Sequence, residues 1–250
     1  MPSNIPENLA KAAQRGEPSY VWRAGQDRRF KMIEAWAGSL MQGRVFEDGC
    51  GVGAYVQRFV EAGSQLTGMD IELPRCLEAR RFSEMIFCGA GEALPLRSDS
   101  MDLVFNNEVI EHVQNDRQAI AEMVRTTKPG GRVIFFCPNR WYPFETHGIY
   151  WNGKYHFGNK LFVNYLPRPL RDKLCPHVNV YTRRDLEKLF AGLPVKFIHR
   201  VVIFGAYDNI IERHPKFGKV LRALLQGLEN SPLQVFGLSH FWVVEKTTTQ

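Results

Sequence analysis

A glycine-rich string, Glu47-Asp48-Gly49-Cys50-Gly51-Val52-Gly53, follows a short apolar run. Glycines directly after a strand let the backbone turn tightly and approach a ligand closely. The helix expected after them points its free N–H groups at the same place. Gly49, Gly51 and Ala54 also match the spacing of a dinucleotide-binding fingerprint. The string therefore predicts a ligand-binding turn, with a dinucleotide as one alternative.

Two acidic residues narrow the choice of ligand. Glu47 stands two residues before the first glycine, where an acid can pair with an ammonium group but would repel a pyrophosphate. Asp70 ends the next expected strand, and its two oxygens can accept hydrogen bonds from both hydroxyls of a ribose. These residues favour a ligand that carries both an ammonium group and a ribose. The alternative for Asp70 is an ordinary turn acid.

A second string, Glu108-Val109-Ile110-Glu111-His112, holds three side chains that can ligate a metal. On a helix, positions i, i+3 and i+4 share one face, so the two carboxylates and the imidazole would converge. Oxygen and imidazole ligands suit a divalent ion such as Mg²⁺, Mn²⁺ or Fe²⁺. His177, just before a late helix, is the candidate for a fourth ligand. The alternative is a structural role, in which the glutamate caps a helix or ties loops.

The segment from Cys137 to His147 follows the fifth expected strand. In open α/β sheets ligands lie beyond the carboxyl ends of strands, so this segment should face the ligand. His147 can take a proton from a hydroxyl, because the ordinary pKa of histidine lies near neutral pH. Glu145 is a weaker candidate for the same role. The alternative for His147 is a surface position in a loop.

Residues 141–173 are rich in aromatic and basic side chains. These residues can form a lid over an apolar ligand, insert into a membrane surface or bind nucleic acid. The alternative is that they form the packed core of an insert with a solvated rim. The aromatic residues are Trp141, Tyr142, Phe144, Tyr150, Trp151, Tyr155 and Phe157, and the basic ones are Lys154, Lys160, Arg168, Arg171 and Lys173.

Strands and helices alternate along the chain in the way typical of βαβ units and a parallel sheet. An amphipathic helix is expected over Trp22–Met41. The expected strands are 44–46, 65–69, 85–88, 102–106, 132–137, 195–204 and 240–244. The other expected helices are 52–62, 74–83, 115–127, 182–191 and 216–228, and residues 128–131 are expected to form a turn.

Several strings, in family order across residues 46–137, resemble the motifs of class I S-adenosylmethionine-dependent methyltransferases of the type 11 and ubiquinone-pathway O-methyltransferase kind. Residues 47–53 resemble the first motif and residues 68–70 the second. Residues 91–96 resemble the third motif, 100–113 the fourth strand with its loop, and 128–135 the turn and fifth strand. The resemblance implies an α/β, Rossmann-like, seven-stranded and mostly parallel sheet with helices on both faces and a C-terminal β-hairpin.

The resemblance also implies that S-adenosylmethionine is the cofactor. Many relatives carry an acid two residues before the glutamate of the third motif, where this chain has Ala90. We therefore expect adenine to be held by backbone N–H groups near Gly91 and by packing on Ile71 and Leu94. The expected cofactor-binding residues are Glu47, Gly49, Gly51, Gly53, Asp70, Ile71, Gly91, Glu92 and Asn107.

We expect methyl transfer to a hydroxyl of a small or lipid-like acceptor, with His147, His112 and Glu111 as catalytic residues. The Glu-x-x-Glu-His string also resembles small-RNA 2′-O-methyltransferases, in which a metal grips the acceptor hydroxyls. The resemblance thus implies a divalent ion, Mg²⁺, held by Glu108, Glu111, His112 and His177. RNA is the alternative acceptor, peripheral membrane contact is a further alternative, and a protein that binds the cofactor without methyl transfer is the alternative function.

Composition sets the remaining expectations. The 250 residues are 44% hydrophobic and 23% charged, which is typical of a globular chain. A net charge of +6 suits nucleic acid, an anionic membrane or an acidic substrate, and also suits plain solubility. Five cysteines without a CxxC pair indicate neither disulfides nor zinc. With no apolar run of transmembrane length and no signal-like start over Met1–Tyr20, we expect a cytoplasmic protein without a transmembrane segment.

One methyltransferase domain is expected over residues 1–250. Its parts are an N-terminal helical region over 1–43, a cofactor-binding core over 44–137, an acceptor-side lid insert over 138–181 and a helical insert over 205–237 before the last strand. The sequence makes no prediction of the oligomeric state.

Overall fold

The computed structural model describes residues 21–248, so the predictions for Met1–Tyr20 lie outside the described residues. The helices are α1 Ala24–Ala37, α2 Ala54–Glu61, α3 Leu73–Ala79, α4 Asp116–Thr126, α5 Arg168–Leu174, α6 Arg183–Leu189, α7 Asp208–Arg213 and α8 Pro215–Gly227. The strands are β1 Arg44–Asp48, β2 Gln65–Asp70, β3 Ile86–Cys88, β4 Met101–Asn107, β5 Thr127–Pro138, β6 Phe144–Glu145, β7 Ile149–Trp151, β8 Lys154–His156, β9 Lys160–Leu161, β10 Val195–Ile203 and β11 Ser239–Lys246. Short 3₁₀ helices cover Gly38–Gln42, Val163–Tyr165, Leu228–Asn230 and Pro232–Phe236.

Seven strands form the central sheet in the order β10-β11-β5-β4-β1-β2-β3. Strands β1 to β5 are parallel, and β11 runs antiparallel between β5 and β10. The predicted α/β fold, with a mostly parallel seven-stranded sheet and an antiparallel C-terminal pair, is confirmed. Because parallel strands share one direction, the carboxyl ends of β1, β2, β4 and β5 meet at one edge of the sheet.

Helices cover both faces of this sheet. One apolar cluster joins the strands to α1, α2 and α3, and a second cluster joins them to α4 and α6. The central strands are buried on both faces, which explains why they are apolar along their length and not alternating. Aromatic rings fill the first cluster: Phe105 lies 5.5 Å from Phe59 between ring centroids, and Phe136 lies 4.8 Å from Phe241. This rigid centre positions the strand ends that carry the polar side chains.

Several predicted elements differ from the structure. The helix expected over Trp22–Met41 is interrupted after Ala37, because Gly38 adopts a left-handed φ of 57° and a 3₁₀ helix follows. The turn expected over residues 128–131 lies within β5, where the Lys128 ammonium pairs with Asp102 at 2.6 Å. Residues 108–113, expected as a helix face, form turns between β4 and α4.

The insert regions contain elements that the sequence did not predict. Helix α5 and the small pairs β6–β9 and β7–β8 lie within residues 138–181, and α7 precedes α8 in the later insert. These elements are short, and their apolar residues do not repeat at a period that reveals them. Among residues 21–248, no helix combines the length and apolar character needed to cross a bilayer.

Phe241→Ala should lower the free energy of unfolding by about 3–5 kcal/mol, because it opens a cavity in the apolar cluster between the sheet and its helices. Phe241 is fully buried and also contacts the His199 ring. Urea unfolding monitored by circular dichroism measures the change. Val60→Ala, on the exposed side of α2, is the control and should change it by less than about 0.5 kcal/mol. A loss below about 1 kcal/mol for Phe241→Ala would contradict this account of the core.

Candidate functional site

The glycine loop, residues 49–53, connects β1 to α2. Gly49 has a φ of 80°, and a Cβ at this position would lie 2.2 Å from Cγ2 of Val109. The loop therefore needs glycine here for both its backbone conformation and its close approach to the segment after β4. Gly53, with a φ of 90°, packs instead on Ala79 and Phe82.

Three buried carboxylates lie beside this loop, at the ends of β1 and β2. Oε2 of Glu47 has no hydrogen-bond partner among residues 21–248. Burial, with the charges of Asp70 and Asp48 nearby, raises the pKa of Glu47 well above its usual range. Burial also raises the pKa of Asp48 to about 6, although Nδ2 of Asn106 donates to its carboxylate at 3.0 Å. The local charge therefore favours a cation at this position.

Asp70 links the glycine loop to the segment that follows β2. Its Oδ2 accepts a hydrogen bond from the backbone N–H of Gly51 at 2.9 Å, and its Oδ1 accepts one from the N–H of Glu72 at 2.9 Å. Each carboxylate oxygen can accept a second hydrogen bond. Asp70 therefore holds the glycine loop in place and keeps acceptor capacity for a ligand hydroxyl.

A cavity of about 1460 Å³ opens beside these groups. It extends from the glycine loop past the end of β4 to residues 176–179 and 203–208, so it has room for two small molecules side by side. Of the residues predicted to bind the cofactor, Gly53 alone does not line the cavity, because it lies behind the loop. Those that line it are Glu47, Gly49, Gly51, Asp70, Ile71, Gly91, Glu92 and Asn107.

Glu92 and Asn107 make specific protein contacts at the cavity wall. Oε1 of Glu92 accepts hydrogen bonds from the backbone N–H groups of Gln114 and Asn115 at 2.9 and 3.3 Å. Oδ1 of Asn107 accepts one from Nη1 of Arg29 at 2.8 Å. Glu92 thus ties the loop after β3 to the start of α4, which is a structural role in addition to any contact with a ligand.

Glu108 lies beside Glu111 but is bound by other partners and is not part of the compact group of ligand-type side chains. Its φ is 56°, and its carboxylate accepts hydrogen bonds from Arg29 at 2.8 Å and from Oγ of Ser239 at 2.9 Å. The Arg29 charge lowers the pKa of Glu108 although burial alone would raise it. The expected convergence of Glu108, Glu111 and His112 on a helix face is not found, because the segment is a turn.

The structure instead brings Glu111, His112 and His147 together, with ligand-type atoms all within 4.8 Å of one another. Glu111 is buried, and neither of its carboxylate oxygens has a partner in the described part of the chain. Burial and the Glu108 charge raise the pKa of Glu111 well above its usual range. Burial lowers the pKa of His112 to about 4. This group lines the same cavity as the glycine loop.

His177, the predicted fourth ligand, lies next to this group but takes no part in it. Its backbone carbonyl contacts Nδ1 of His112 at 3.3 Å. Its ring lies 5.5 Å from that of Tyr150 and 5.7 Å from that of Tyr155. Both ring nitrogens lack a hydrogen-bond partner within residues 21–248, and burial lowers the pKa of His177 to about 4.

Glu145 contacts the Nδ1 side of the His147 ring, and Arg171 in turn binds Glu145. Oε1 of Glu145 contacts Nδ1 of His147 at 2.9 Å and accepts a hydrogen bond from its backbone N–H at 2.8 Å. Nη2 of Arg171 donates to Oε2 of Glu145 at 2.8 Å, and both side chains are fully buried. Burial alone would raise the pKa of Glu145, but its bonds to His147 and the Arg171 charge lower it to about 2.

Arg171 is a residue whose role the sequence did not reveal. It was grouped with a solvated basic rim, whereas the structure places it in the core with 1% of its side chain exposed. Its partner Glu145 is distant in the sequence, so no local spacing pattern links the two. Asp48 was also missed, although its position between Glu47 and the first glycine was a usable signal.

Residues 46–135 match the methyltransferase domain family. Over this core the chain is similar to class I methyltransferases. It is 31% identical over 130 residues to malonyl-[acyl-carrier protein] O-methyltransferase of Erwinia billingiae, covering 51% of this chain and 52% of that one. It is 28% identical over 119 residues to ubiquinone biosynthesis O-methyltransferase of Photobacterium profundum, covering 45% and 51%. The chain therefore spans about half the length of these curated relatives.

Solved structures agree with the fold of this chain. An S-adenosylmethionine-dependent methyltransferase from Mesorhizobium loti superposes with a TM-score of 0.59 at 16% identity, covering 86% of this chain and 97% of that one. The [4+2]-cyclase SpnF superposes with a TM-score of 0.58 at 15% identity, covering 97% and 93%. The class and fold predicted from the sequence are confirmed, and the second comparison shows that the fold by itself does not define a reaction.

Arg171→Met should lower the free energy of unfolding by about 3–5 kcal/mol, because it leaves the Glu145 carboxylate buried without its cation. Urea unfolding at neutral pH measures the change. Lys173→Met, at an exposed position on the same helix, is the matched control and should have little effect. The double variant Glu145→Gln/Arg171→Met should recover part of the loss. A change below about 1 kcal/mol for Arg171→Met would contradict a supporting role.

Proposed function

We propose that this chain transfers the methyl group of S-adenosylmethionine to a hydroxyl oxygen of a small or lipid-like acceptor. The observation that carries the proposal is that one cavity joins the buried acidic group at Glu47 and Asp70 to the Glu111–His112–His147 group. The first group suits a cationic nucleoside, and the second contains side chains that can accept a proton. The two similar O-methyltransferases support oxygen as the methylated atom.

The residues at the glycine loop fit S-adenosylmethionine. The unpartnered Oε2 of buried Glu47 is a site for the α-ammonium group of the cofactor. The free acceptor capacity of Asp70 suits the two ribose hydroxyls. The Glu47 carboxylate disfavours a dinucleotide pyrophosphate, which was the alternative for this loop.

The adenine end of the cofactor is assigned to the loop after β3. Gly91 and half-exposed Ile71 line the cavity, and Ala90 provides no carboxylate for the adenine amino group. Since Oε1 of Glu92 already accepts two backbone hydrogen bonds, Glu92 mainly shapes this loop. Backbone N–H groups near Gly91 and the Ile71 side chain are then the adenine contacts.

The bound cofactor supplies a methyl group on a positively charged sulfur, which is already activated for transfer to a nucleophile. The protein must therefore align the acceptor and remove its proton. His147 is the proposed base: its Nδ1 faces Glu145, which leaves Nε2 to take the proton of the acceptor hydroxyl. Ionised Glu145, held by Arg171, stabilises the positive charge that His147 then carries.

A divalent metal at Glu111, His112 and His147 is the second candidate for activating the acceptor. The observation that favours it is the buried Glu111 carboxylate, which has no partner within the described residues. One carboxylate with two imidazoles suits Fe²⁺, Mn²⁺ or Zn²⁺ better than the Mg²⁺ expected from the sequence, because Mg²⁺ prefers oxygen ligands. In this arrangement Glu145 would orient His147 as a ligand.

Glu47→Gln should weaken S-adenosylmethionine binding about tenfold to a hundredfold, the scale of one charge-assisted hydrogen bond. Isothermal titration calorimetry measures it, with Glu61→Gln on the exposed side of α2 as the matched control. Equal affinity of Glu47→Gln and the unaltered protein would contradict the assignment of the ammonium site, and no binding by the unaltered protein would contradict the proposed function.

Binding of S-adenosylmethionine near neutral pH should release protons from the protein. Burial raises the pKa of Glu47 in the free protein, and a bound ammonium group favours the ionised carboxylate, so the pKa falls on binding and the proton leaves. Calorimetry in buffers of different ionisation enthalpy gives the number of protons. Release should disappear in Glu47→Gln, and proton uptake by the unaltered protein would contradict the assigned sign.

His147→Asn should lower methyl transfer from [methyl-³H]S-adenosylmethionine to a bacterial lipid extract by about 10²–10⁴-fold, the usual contribution of a general base. His156→Asn, at an exposed position on β8, is the control. Under the base mechanism EDTA leaves the rate unchanged, whereas loss with EDTA and recovery with added Mn²⁺ would select the metal candidate. No labelled lipid, in a preparation that binds the cofactor, would contradict a lipid-like acceptor.

A further inference from the structure

Helix α8 exposes a stripe of large apolar side chains. Phe217, Val220 and Leu224 are 63%, 59% and 66% exposed. Their spacing of three and four residues places them on one side of the helix. A stripe of this size on the surface requires an explanation, since large apolar side chains are usually buried when they lie at neighbouring positions.

The opposite side of α8 packs against the protein. Gly218 is buried, and a Cβ there would come within 2.8 Å of the backbone of Ile211 in α7, so the two helices are in close contact. Leu221 and Leu225 are half-buried. One face of α8 therefore packs against the rest of the protein, and the exposed stripe lies on another side of the helix.

The segment after α8 continues this exposed apolar character. Leu233, Val235 and Phe236 in the 3₁₀ helix Pro232–Phe236 are all exposed. Nδ2 of Asn139 donates to the carbonyls of Val235 and Gly237 at 2.7 Å each, so this segment is fixed and does not hang free. We use the name outer apolar face for the exposed residues of this insert, which are Phe217, Val220, Leu224, Leu233, Val235 and Phe236.

Basic side chains lie beside the stripe on the same helix. Helix α8 contains Lys216, Lys219 and Arg222 and no acidic residue, and Arg213 precedes it. Lys216 and Lys219 are exposed. A short helix with phenylalanine and leucine on one side and lysines beside them is typical of segments that lie in the interface of an anionic bilayer. A second copy of this chain fits less well, because a symmetric contact would bring the same lysines together.

The insert is also part of the cavity wall. Residues 205–208, at its beginning, line the cavity that contains the glycine loop and His147. Tyr207 at this point has a φ of 55° and is hydrogen-bonded to Tyr142 in the segment after β5. A membrane contact through α8 would therefore lie on the same structural unit that encloses the acceptor.

We propose that the outer apolar face docks on anionic lipid bilayers, with Phe217, Val220 and Leu224 inserted at the interface and Lys216 and Lys219 contacting lipid headgroups. The acceptor is then a hydroxyl compound that resides in the lipid phase. The statement about the acceptor rests on the proposed function, whereas the docking does not.

The first test is co-sedimentation with vesicles of phosphatidylcholine alone and of phosphatidylcholine with about 30% phosphatidylglycerol, in about 0.15 M salt. The unaltered protein should bind the anionic vesicles more tightly than the neutral ones. Phe217→Ser/Leu224→Ser should weaken this binding about tenfold or more, because two inserted side chains are lost. The matched control, Leu77→Ser/Leu170→Ser, removes two leucines that are 57% and 56% exposed elsewhere and should bind like the unaltered protein.

A charge variant tests the second half of the proposal. Lys216→Glu/Lys219→Glu should reduce binding to anionic vesicles about tenfold or more and leave binding to neutral vesicles little changed. Lys154→Glu/Lys173→Glu, at exposed positions in the lid insert, is the matched control for net charge and should bind nearly as well as the unaltered protein.

Three results would overturn the proposal. These are absence of binding to anionic vesicles, equal binding by the Phe217→Ser/Leu224→Ser variant, and a dimer of the unaltered protein in sedimentation velocity that this variant dissociates. Titration with S-adenosylmethionine is run on each preparation. Retained cofactor binding shows that a variant is folded, and it also separates a failure of docking from a failure of the proposed function.

Discussion

The glycine-loop side of the cavity depends on carboxylates buried at the ends of two adjacent parallel strands. Glu47 and Asp48 end β1, Asp70 ends β2, and no cation lies beside Glu47 within residues 21–248. Burial without a partner raises carboxyl pKa values, and it is tolerated where a ligand supplies the missing charge. The remaining compensation comes from backbone N–H groups such as that of Gly51, so the glycine loop and the acids need each other. Gly49 allows no side chain for a separate reason, since a Cβ there would lie 2.2 Å from Cγ2 of Val109.

The region around His147 contains two buried glutamates whose pKa values are shifted in opposite directions. Glu111 and Glu145 are equally buried, yet the pKa of Glu111 is raised and that of Glu145 falls to about 2. The difference comes from their neighbours, since Glu145 contacts Arg171 and His147, whereas Glu111 faces the charge of Glu108. Titratable groups whose pKa values are pushed apart by their surroundings commonly divide acid and base roles. Here Glu145, which Arg171 and His147 keep ionised at neutral pH, can orient His147, and Glu111 can hold a proton or a cation.

The sequence predicted the arrangement of the glycine loop and its acids better than that of the residues around His147, and the reason is the range of the contacts. Glu47, the glycine loop and Asp70 lie close in the sequence, and their order along alternating strands determines where they meet. The ion pair of Arg171 with Glu145 joins residues far apart in the chain. The helix that carries Arg171 has only seven residues, so hydrophobic periodicity does not reveal it. The spacing of Glu108, Glu111 and His112 suggested one face of a helix after β4. Spacing alone cannot show that Glu108 pairs with Arg29.

The position of the helical insert explains how a common fold can acquire a particular acceptor. The insert joins β10 to β11, which pair with each other directly, so a long connection here leaves every hydrogen bond of the sheet intact. Lengthening such a connection costs little conformational entropy. Its first residues reach the cavity wall while α8 reaches the surface, so one insertion changes both the acceptor pocket and the outer face of the molecule. The proposed lipid-phase acceptor depends on these two features together, whereas the glycine loop and its acids are positioned by the ends of β1 and β2.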